Sequence, residues 1–327
     1  MSEMGGSYDP GPWRGFNYSN ARKAHTKLNP AAGRGYSRKT ANNKTVVSTT
    51  PDKLTTDAKS PLTIVVDGTG SMGTFPNVIF EKLPLLDDSV DDYLDDCQIS
   101  YCMIGDAGAR DRYPLQVQPF KRGKEMVDTL NNLIIEKGGG GNQEESYDLA
   151  ALYYARNVEM PKANKPILIF ICDEGVYSRV AKDWAQTHAK VTLDKELSCK
   201  DLFEELQTKY SVYVIRKHYN DQVSGDKMTG ANLRIHQQWQ DLVGEDRIAI
   251  LNEPRRVVDV ILGLLAHETG KEAFFKKELE WRQKPDQVKT VYKSMVSIGK
   301  DSDKGGSGHS IMKRPEDGKT KGSKSLI

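Results

Sequence analysis

The sequence contains few cysteines and lacks the spacings that identify common catalytic sites. Its four cysteines do not form a C-x-x-C pair and mostly sit in or beside apolar segments. We therefore expect buried free thiols in a reducing compartment, not disulfides or zinc ligands. The six histidines show no H-E-x-x-H spacing, and neither a G-x-S-x-G motif nor a phosphate-loop lysine motif is present. These absences favour a binding protein over an enzyme.

Long apolar runs are also missing. No opening segment combines a basic start with an apolar core, so we expect no signal peptide. The longest apolar helix candidate, residues 257–266, is too short to span a bilayer and contains Asp259. With 37% hydrophobic and 28% charged residues, the composition is typical of a globular cytoplasmic protein without membrane contact.

Charge is distributed unevenly along the chain. Residues 1–60 contain ten Lys/Arg against four Asp/Glu, and residues 271–327 contain fourteen against eight, so each end carries +6. Since the whole chain carries +2, residues 61–270 carry −10. We predict a disordered or extended basic arm at 1–60, a domain at 61–270, and a helical extension with a flexible basic tail at 271–327. The acidic domain argues against nucleic-acid partners, except through the basic arms.

The middle of the chain alternates strand and helix patterns. Apolar runs bounded by turn residues predict buried strands at 62–66, 99–104, 167–172, 212–215 and 248–251. Residues 115–118 alternate like a half-exposed strand, and Pro119 suits the edge of a sheet. This succession predicts a doubly wound α/β fold, in which helices cover both faces of a mostly parallel sheet.

Residues 62–73 are the most informative stretch. An apolar strand ends there in Asp67, Thr69 and Ser71, interleaved with glycines. In a roughly extended turn, the spacing i, i+2, i+4 points the three side chains to one side. Open α/β sheets bind ligands at the carboxyl ends of their strands. One carboxylate and two hydroxyls are hard oxygen ligands, so the stretch predicts a site for a hard cation such as Mg2+.

Other interpretations of this stretch remain open. Residues 68–73 also fit G-x-G-x-x-G, the dinucleotide fingerprint, although Asp67 would then place a negative charge beside a pyrophosphate. An aspartyl phosphatase is disfavoured because Val65 stands where a second aspartate is expected. In the simplest alternative, Asp67 only caps a turn by accepting hydrogen bonds from backbone amides.

The pattern D-x-T-G-S after an apolar strand resembles the metal-ion-dependent adhesion site (MIDAS) of von Willebrand factor A (vWA) domains, usually written D-x-S-x-S. That family adds a hydroxyl ligand from a second loop, at the start of a helix, and an aspartate after a later strand. Here the apolar run 166–172 ends in Asp173. The resemblance covers residues 61–270 and implies a six-stranded, mostly parallel sheet with one Mg2+ at its top, or Mn2+ or Ca2+ instead.

The second loop departs from the family pattern. Four glycines at 138–141 are followed by a longer polar stretch, where the family usually has threonine directly after its glycines. Counting back from the helical residues 151–152 places Ser146 at the hydroxyl position. Glu145 takes that position after a one-residue shift, and Asn142 is a third candidate. A carboxylate there would lower the net charge of the site and its attraction for an acidic partner, and the choice stays open.

The resemblance implies metal-dependent binding of another protein without chemistry. Asp67, Thr69, Ser71, Asp173 and Ser146 (or Glu145) would hold the ion, and the partner would supply an acidic side chain. Asp106 follows another strand, so we expect it to orient the ligands. Intracellular members of the family often work beside ATPases, which suggests an ATPase or a large assembly as the partner.

Two alternatives remain. The chain could be a structural subunit that uses its basic arms and keeps a vestigial metal site. It could also be a metal-dependent phosphoester hydrolase, although no general base or second-metal carboxylate cluster stands at a recognisable spacing.

Overall fold

A six-stranded, mostly parallel sheet organises the protein, which confirms the α/β prediction. The computed structural model describes residues 50–164, 166–219, 223–224, 227–251 and 253–300, so most of the predicted N-terminal arm and the end of the predicted tail lie outside it. The strands of this sheet are β1 (Ser60–Asp67), β2 (Cys97–Ile104), β3 (Leu115–Val117), β4 (Ile167–Cys172), β5 (Ser211–Arg216) and β6 (Ile248–Ile250). Their spatial order is 3-2-1-4-5-6. β3 runs antiparallel to β2, and the other neighbours are parallel.

Helices and short turns connect these strands. The helices are α1 (Phe75–Lys82), α2 (Leu86–Val90), α3 (Gly123–Asn131), α4 (Tyr147–Arg156), α5 (Lys182–Thr187), α6 (Cys199–Gln207), α7 (Gly230–Val243), α8 (Val257–Thr269), α9 (Glu272–Arg282) and α10 (Pro285–Ser294). Short 3-10 turns occur at Leu83–Leu85, Glu245–Arg247 and Pro254–Arg256. Within the described ranges, no helix is both long and apolar enough to cross a membrane.

Pairs of two-residue strands lie outside the main sheet. Leu54–Thr55 pairs with Val158–Glu159, Glu144–Glu145 with Gly175–Val176, Arg179–Val180 with Leu197–Ser198, and Val223–Ser224 with Lys227–Met228. The second of these pairs joins two loops at the carboxyl edge of the sheet, where the candidate site lies.

The hydrophobic core has two layers, one on each face of the sheet. Successive residues of a strand point to opposite faces, and β1 shows this directly. Ile64 and Val66 pack into one cluster, with side chains from α1, α3 and α8. Val65 packs into the other, with side chains from α4, α6 and α7. This burial on both faces explains why the strand sequences are nearly continuous apolar runs.

The edge strand β3 lies where Pro119 suggested, but the prediction that it is half-exposed is wrong. Its residues Leu115, Gln116 and Val117 are all buried. The polar residue is tolerated because its amide group mimics a neighbouring strand. Gln116 Nε2 donates to the Ile134 carbonyl oxygen, and the Ile134 amide donates to Gln116 Oε1, both at 2.8 Å. A buried polar side chain with its hydrogen bonds satisfied avoids the desolvation cost that alternation alone would suggest.

The helices that follow residue 270 pack onto the same core. Phe275 and Leu279 of α9 belong to the first cluster, together with Val291 of α10. A buried polar contact adds to this packing, because Gln283 Nε2 donates to Asp259 Oδ2 at 2.9 Å. Asp259 lies on α8, so the end of α9 is tied to the last helix of the sheet domain.

Truncating the packed face of α9 should therefore destabilise the whole domain. Leu279 is fully buried, and Leu279→Ala should lower the free energy of unfolding by about 2–5 kcal/mol. Trp281, on the same helix, is 81% exposed, so Trp281→Ala should change the free energy of unfolding by less than about 0.5 kcal/mol. Urea unfolding followed by circular dichroism measures both values. Equal stabilities of the two variants would contradict the described packing of α9.

Candidate metal-binding site

The register of β1 and β4 brings two aspartates together. Val66 pairs with Ile171, which places Asp67 level with the end of β4 and next to Asp173. These two strands lie side by side at the centre of the 3-2-1-4-5-6 order, where the connections from the strands lead to opposite sides. Ligands of open α/β sheets bind in the crevice at such a switch point.

Two hydrogen-bonded pairs, joined by a close approach of their hydroxyl groups, connect the four predicted residues of the first and third loops. Asp67 Oδ1 accepts from the Thr69 amide at 2.8 Å and from Thr69 Oγ1 at 2.6 Å. The Thr69 and Ser71 hydroxyl oxygens lie 3.2 Å apart. Ser71 Oγ donates to Asp173 Oδ1 at 2.9 Å. The structure thus places Asp67, Thr69, Ser71 and Asp173 in one cluster, with their oxygen atoms facing one another.

Aromatic side chains form the floor of this cluster. Tyr147, at the start of α4, donates its hydroxyl hydrogen to Asp67 Oδ2. Its ring lies edge-on to Trp239 of α7, with centroids 5.3 Å apart, and Trp239 also contacts Phe170 of β4 at 5.5 Å. Trp239 Nε1 donates to the Glu174 carbonyl oxygen at 2.9 Å and so fixes the third loop. These rings keep water away from the carboxylate of Asp67.

Burial of the two aspartates disfavours their charged forms. Desolvation raises the pKa of Asp67 to about 8, and the negative charge of Asp173 adds to the effect. Desolvation also raises the pKa of Asp173, to about 6, although the ammonium group of Lys217 opposes the shift. Both shifts have the same physical origin, which is negative charge held in a dry environment with too few opposite charges.

In the second loop, Glu145 and Ser146 have different surroundings. Glu145 is buried, and its Oε2 atom has no hydrogen-bond partner among the described residues. Its Oε1 atom and the Cβ atom of Thr69 both border Gly139, which places its carboxyl group beside the first loop. Burial, then the charge of Asp67 and then the carboxyl group of Glu174 raise the pKa of Glu145 well above the usual range. Ser146 is also buried, and its hydroxyl oxygen accepts a hydrogen bond from the Ala107 amide at 2.9 Å. Asn142 is exposed and donates to the Tyr177 hydroxyl oxygen at 2.8 Å.

Two further aspartates hold the glycine-rich part of this loop. Asp106 Oδ2 accepts from the Gly140 amide at 3.1 Å, and Asp111 Oδ1 accepts from the Gly139 amide at 3.2 Å. Gly139 has φ +105°, which an L side chain rarely adopts, and a Cβ at Gly138 would lie 1.9 Å from Asp111 Oδ1. Asp106 therefore acts on the loop that carries Glu145. The expectation that it orients metal ligands stays a prediction.

Lys217 belongs to the cluster and was missed by the sequence analysis. Its Nζ atom donates to Asp173 Oδ2 and to the Ser71 carbonyl oxygen, both at 3.1 Å. Its place follows from strand register, because Arg216 ends β5 opposite Cys172 and the next residue therefore lies beside Asp173. The signal in the sequence is weaker, since Lys217 follows the predicted strand 212–215 by two residues, at the edge where such sheets bind ligands.

The donor set of the cluster fits a hard cation. Carboxylate and hydroxyl oxygens are the ligands that Mg2+ and Ca2+ prefer, and a cation would supply the positive charge that the buried carboxylates lack. The partnerless Oε2 atom of Glu145 is a further oxygen available to such an ion. Among the residues that the structure describes, no group of three or more His, Cys, Asp or Glu side chains is arranged for a metal. A site here therefore depends on the hydroxyl groups of Thr69 and Ser71.

Comparisons with known proteins give only distant similarities. No protein-family model and no curated protein matches the chain. The pilus adhesin SpaC from Lactobacillus rhamnosus GG, in its open conformation, is 10% identical over 69% of this chain and 31% of its own, with a TM-score of 0.46. A second structure of SpaC gives 12% identity, 69% and 32% coverage, and a TM-score of 0.45.

Proximal thread matrix protein 1 from the mussel byssus is 11% identical over 64% of this chain and 47% of its own, with a TM-score of 0.43. The chain spans less than half the length of each of these proteins. Similarities at these TM-scores assign neither a family nor a function to it.

The raised pKa of Asp67 predicts a pH-dependent stability. The folded protein keeps this proton up to a pKa of about 8, whereas the unfolded chain loses it near 3.8. Ionisation in this window thus favours the unfolded state, and in EDTA the melting temperature should fall as the pH rises from about 5 to about 8. The melting temperature of Asp67→Asn should fall less over this pH range, because an amide does not ionise. Asp286, whose side chain is 97% exposed, provides the control Asp286→Asn, which should match wild type. A wild-type slope in Asp67→Asn would contradict the assignment.

Proposed function

We propose that this protein is a Mg2+-dependent protein-interaction module with a vWA-type, MIDAS-like site. The observation that supports this most strongly is the convergence of Asp67 and Asp173 on the adjacent hydroxyl groups of Thr69 and Ser71, at the switch point of the sheet. The capped-turn alternative accounts for the contacts of Asp67 with Thr69. It does not account for a second buried aspartate that accepts a hydrogen bond from the adjacent Ser71 hydroxyl at the end of another strand.

In this proposal, Asp67, Thr69, Ser71, Asp173 and Glu145 hold the cation directly or through water. The bound cation supplies an electrophilic position that a glutamate or aspartate of the partner can occupy. Thr69 and Ser71 hold their oxygens in place through their hydrogen bonds, and they neutralise little of the cation's charge. Tyr147 orients Asp67 by donating a hydrogen bond to its carboxylate.

We assign the second-loop position to Glu145 in preference to Ser146 and Asn142. The Glu145 carboxyl group is buried beside Asp67 with one oxygen unsatisfied, whereas Ser146 accepts from a backbone amide and Asn142 contacts Tyr177 at the rim. A carboxylate at this position strengthens the hold on the cation and weakens the long-range attraction for an acidic partner. We infer that the partner is recognised mainly by its fit to the open cation position.

We propose no catalytic step. The expected partner class is an ATPase or another component of a multiprotein complex, and the expected compartment is the cytoplasm. The four cysteines are free and buried, which fits a reducing compartment.

Loss of the Asp67 charge should abolish cation-dependent binding without unfolding the domain. We expect the wild-type chain to capture a partner from native lysate in Mg2+ but not in EDTA, and Asp67→Asn to capture it in neither. Calorimetric titration with Mn2+ should show the same loss, and circular dichroism should report an intact fold. Asp286→Asn should behave like wild type.

A partner retained in EDTA and by Asp67→Asn would contradict the proposal and favour a structural subunit that binds through its arms. Metal-dependent phosphoester hydrolysis that disappears in Asp67→Asn would instead favour the hydrolase.

The second-loop assignment is tested by two neighbouring substitutions. Glu145→Gln keeps the size of the side chain and removes its charge, so it should weaken Mn2+ binding by about tenfold or more, the equivalent of one charged ligand interaction. Ser146→Ala should leave the Mn2+ affinity within about twofold and lower the stability by about 1 kcal/mol through loss of the bond to Ala107. The reverse order of affinities would move the ligand role to Ser146.

A further inference from the structure

The position of Lys217 suggests how this cation site is regulated. The backbone amide of Lys217 donates to the Cys172 carbonyl oxygen at 2.8 Å, which fixes the residue beside the third loop. Its side chain is 16% exposed, and its ammonium group donates to the carboxylate of Asp173, a proposed cation ligand, and to the backbone carbonyl oxygen of Ser71. In the described structure, Lys217 is therefore a counter-charge inside the site itself.

A divalent cation and this ammonium group compete for the same carboxylate, that of Asp173. Asp173 is fully buried, and its two oxygens are bound by Ser71 and by Lys217. A cation that draws on both Asp173 and Ser71 lies close enough to Lys217 for direct charge repulsion. Cation binding must therefore weaken or break the contact between Lys217 and Asp173.

The side chain is suited to such a movement. A lysine carries a compact charge on a flexible four-carbon stem. The Phe75 ring lies below the ammonium group, with Nζ 5.6 Å from the ring centroid. An aromatic face stabilises a nearby cation, so Phe75 provides an attraction for the ammonium group that does not depend on Asp173.

We propose that Lys217 is a tethered competitor of the divalent cation. It stabilises the cation-free site by neutralising Asp173, and it weakens cation binding because its ammonium group must be displaced. This inference rests on the proposed cation site. Because Lys217 weakens the affinity of the site, the fraction of protein that carries a cation would change with the local cation concentration.

The test is a calorimetric titration of the full chain with Mn2+, using three substitutions. Lys217→Met removes the charge and keeps the apolar stem, and it should tighten the dissociation constant by about tenfold, the equivalent of one charge-assisted hydrogen bond. Lys217→Arg keeps the charge and should bind no more tightly than wild type. Lys124→Met, at a side chain that is 79% exposed, is the control and should match wild type.

Thermal unfolding provides a readout that is independent of the titration. In EDTA, Lys217→Met should melt at a lower temperature than wild type, because Asp173 loses its counter-charge. Saturating Mn2+ should raise its melting temperature by more than it raises that of wild type. Circular dichroism checks that the variant is folded at the start of the experiment.

The outcomes separate this inference from the proposed function. If wild type binds Mn2+ and Lys217→Met binds no more tightly, the competitor role is wrong and the cation site stands. If Lys217→Arg tightens binding as much as Lys217→Met, the effect is not one of charge and the inference is overturned. Binding by Lys217→Met alone would support the inference while showing that the natural chain does not depend on a metal. Binding by neither protein would overturn both proposals.

Discussion

The burial of carboxyl groups at the carboxyl edge of the sheet is the constraint on which the candidate site depends. Asp67 and Asp173 end two neighbouring strands, and neither side chain is accessible to solvent. Burying an unpaired carboxylate lowers the free energy of unfolding by roughly several kcal/mol, so nearby groups must stabilise it. The hydroxyl groups of Thr69 and Ser71 do so by hydrogen bonding, and Lys217 does so by charge. The same requirement makes the edge a natural place for a cation.

The site is assembled from elements on both sides of the sheet. The first loop leads into α1, which packs in one core layer, whereas Tyr147 and Trp239 belong to the other. The proposed ligand set has a simple electrostatic property. The charges of ionised Asp67, Glu145 and Asp173 would balance those of a divalent cation and Lys217 together, and the nearby buried carboxyl group of Glu174 would add further negative charge.

The sequence predicts the strands and the two aspartates because their signals are local. An apolar run that ends in an aspartate is visible without knowledge of the fold, and parallel pairing brings the carboxyl ends together. Lys217 was missed because its role arises from the register of β5 with β4, which no motif records. The choice between Glu145 and Ser146 depended on a single residue of spacing in a glycine-rich loop. The burial of Gln116 depends on backbone contacts with Ile134, which alternation does not reveal.

The hydrogen bonds from Gly139 and Gly140 to Asp111 and Asp106 have a consequence for the kinetics of recognition. A glycine-rich loop is costly to order, because glycine loses more conformational entropy than any other residue. Here the loop is held by side chains of the domain itself, so that cost falls on folding and not on association. A partner would then meet a loop whose backbone is already ordered. Association would proceed close to a rigid-body encounter, without a slow step of loop closure.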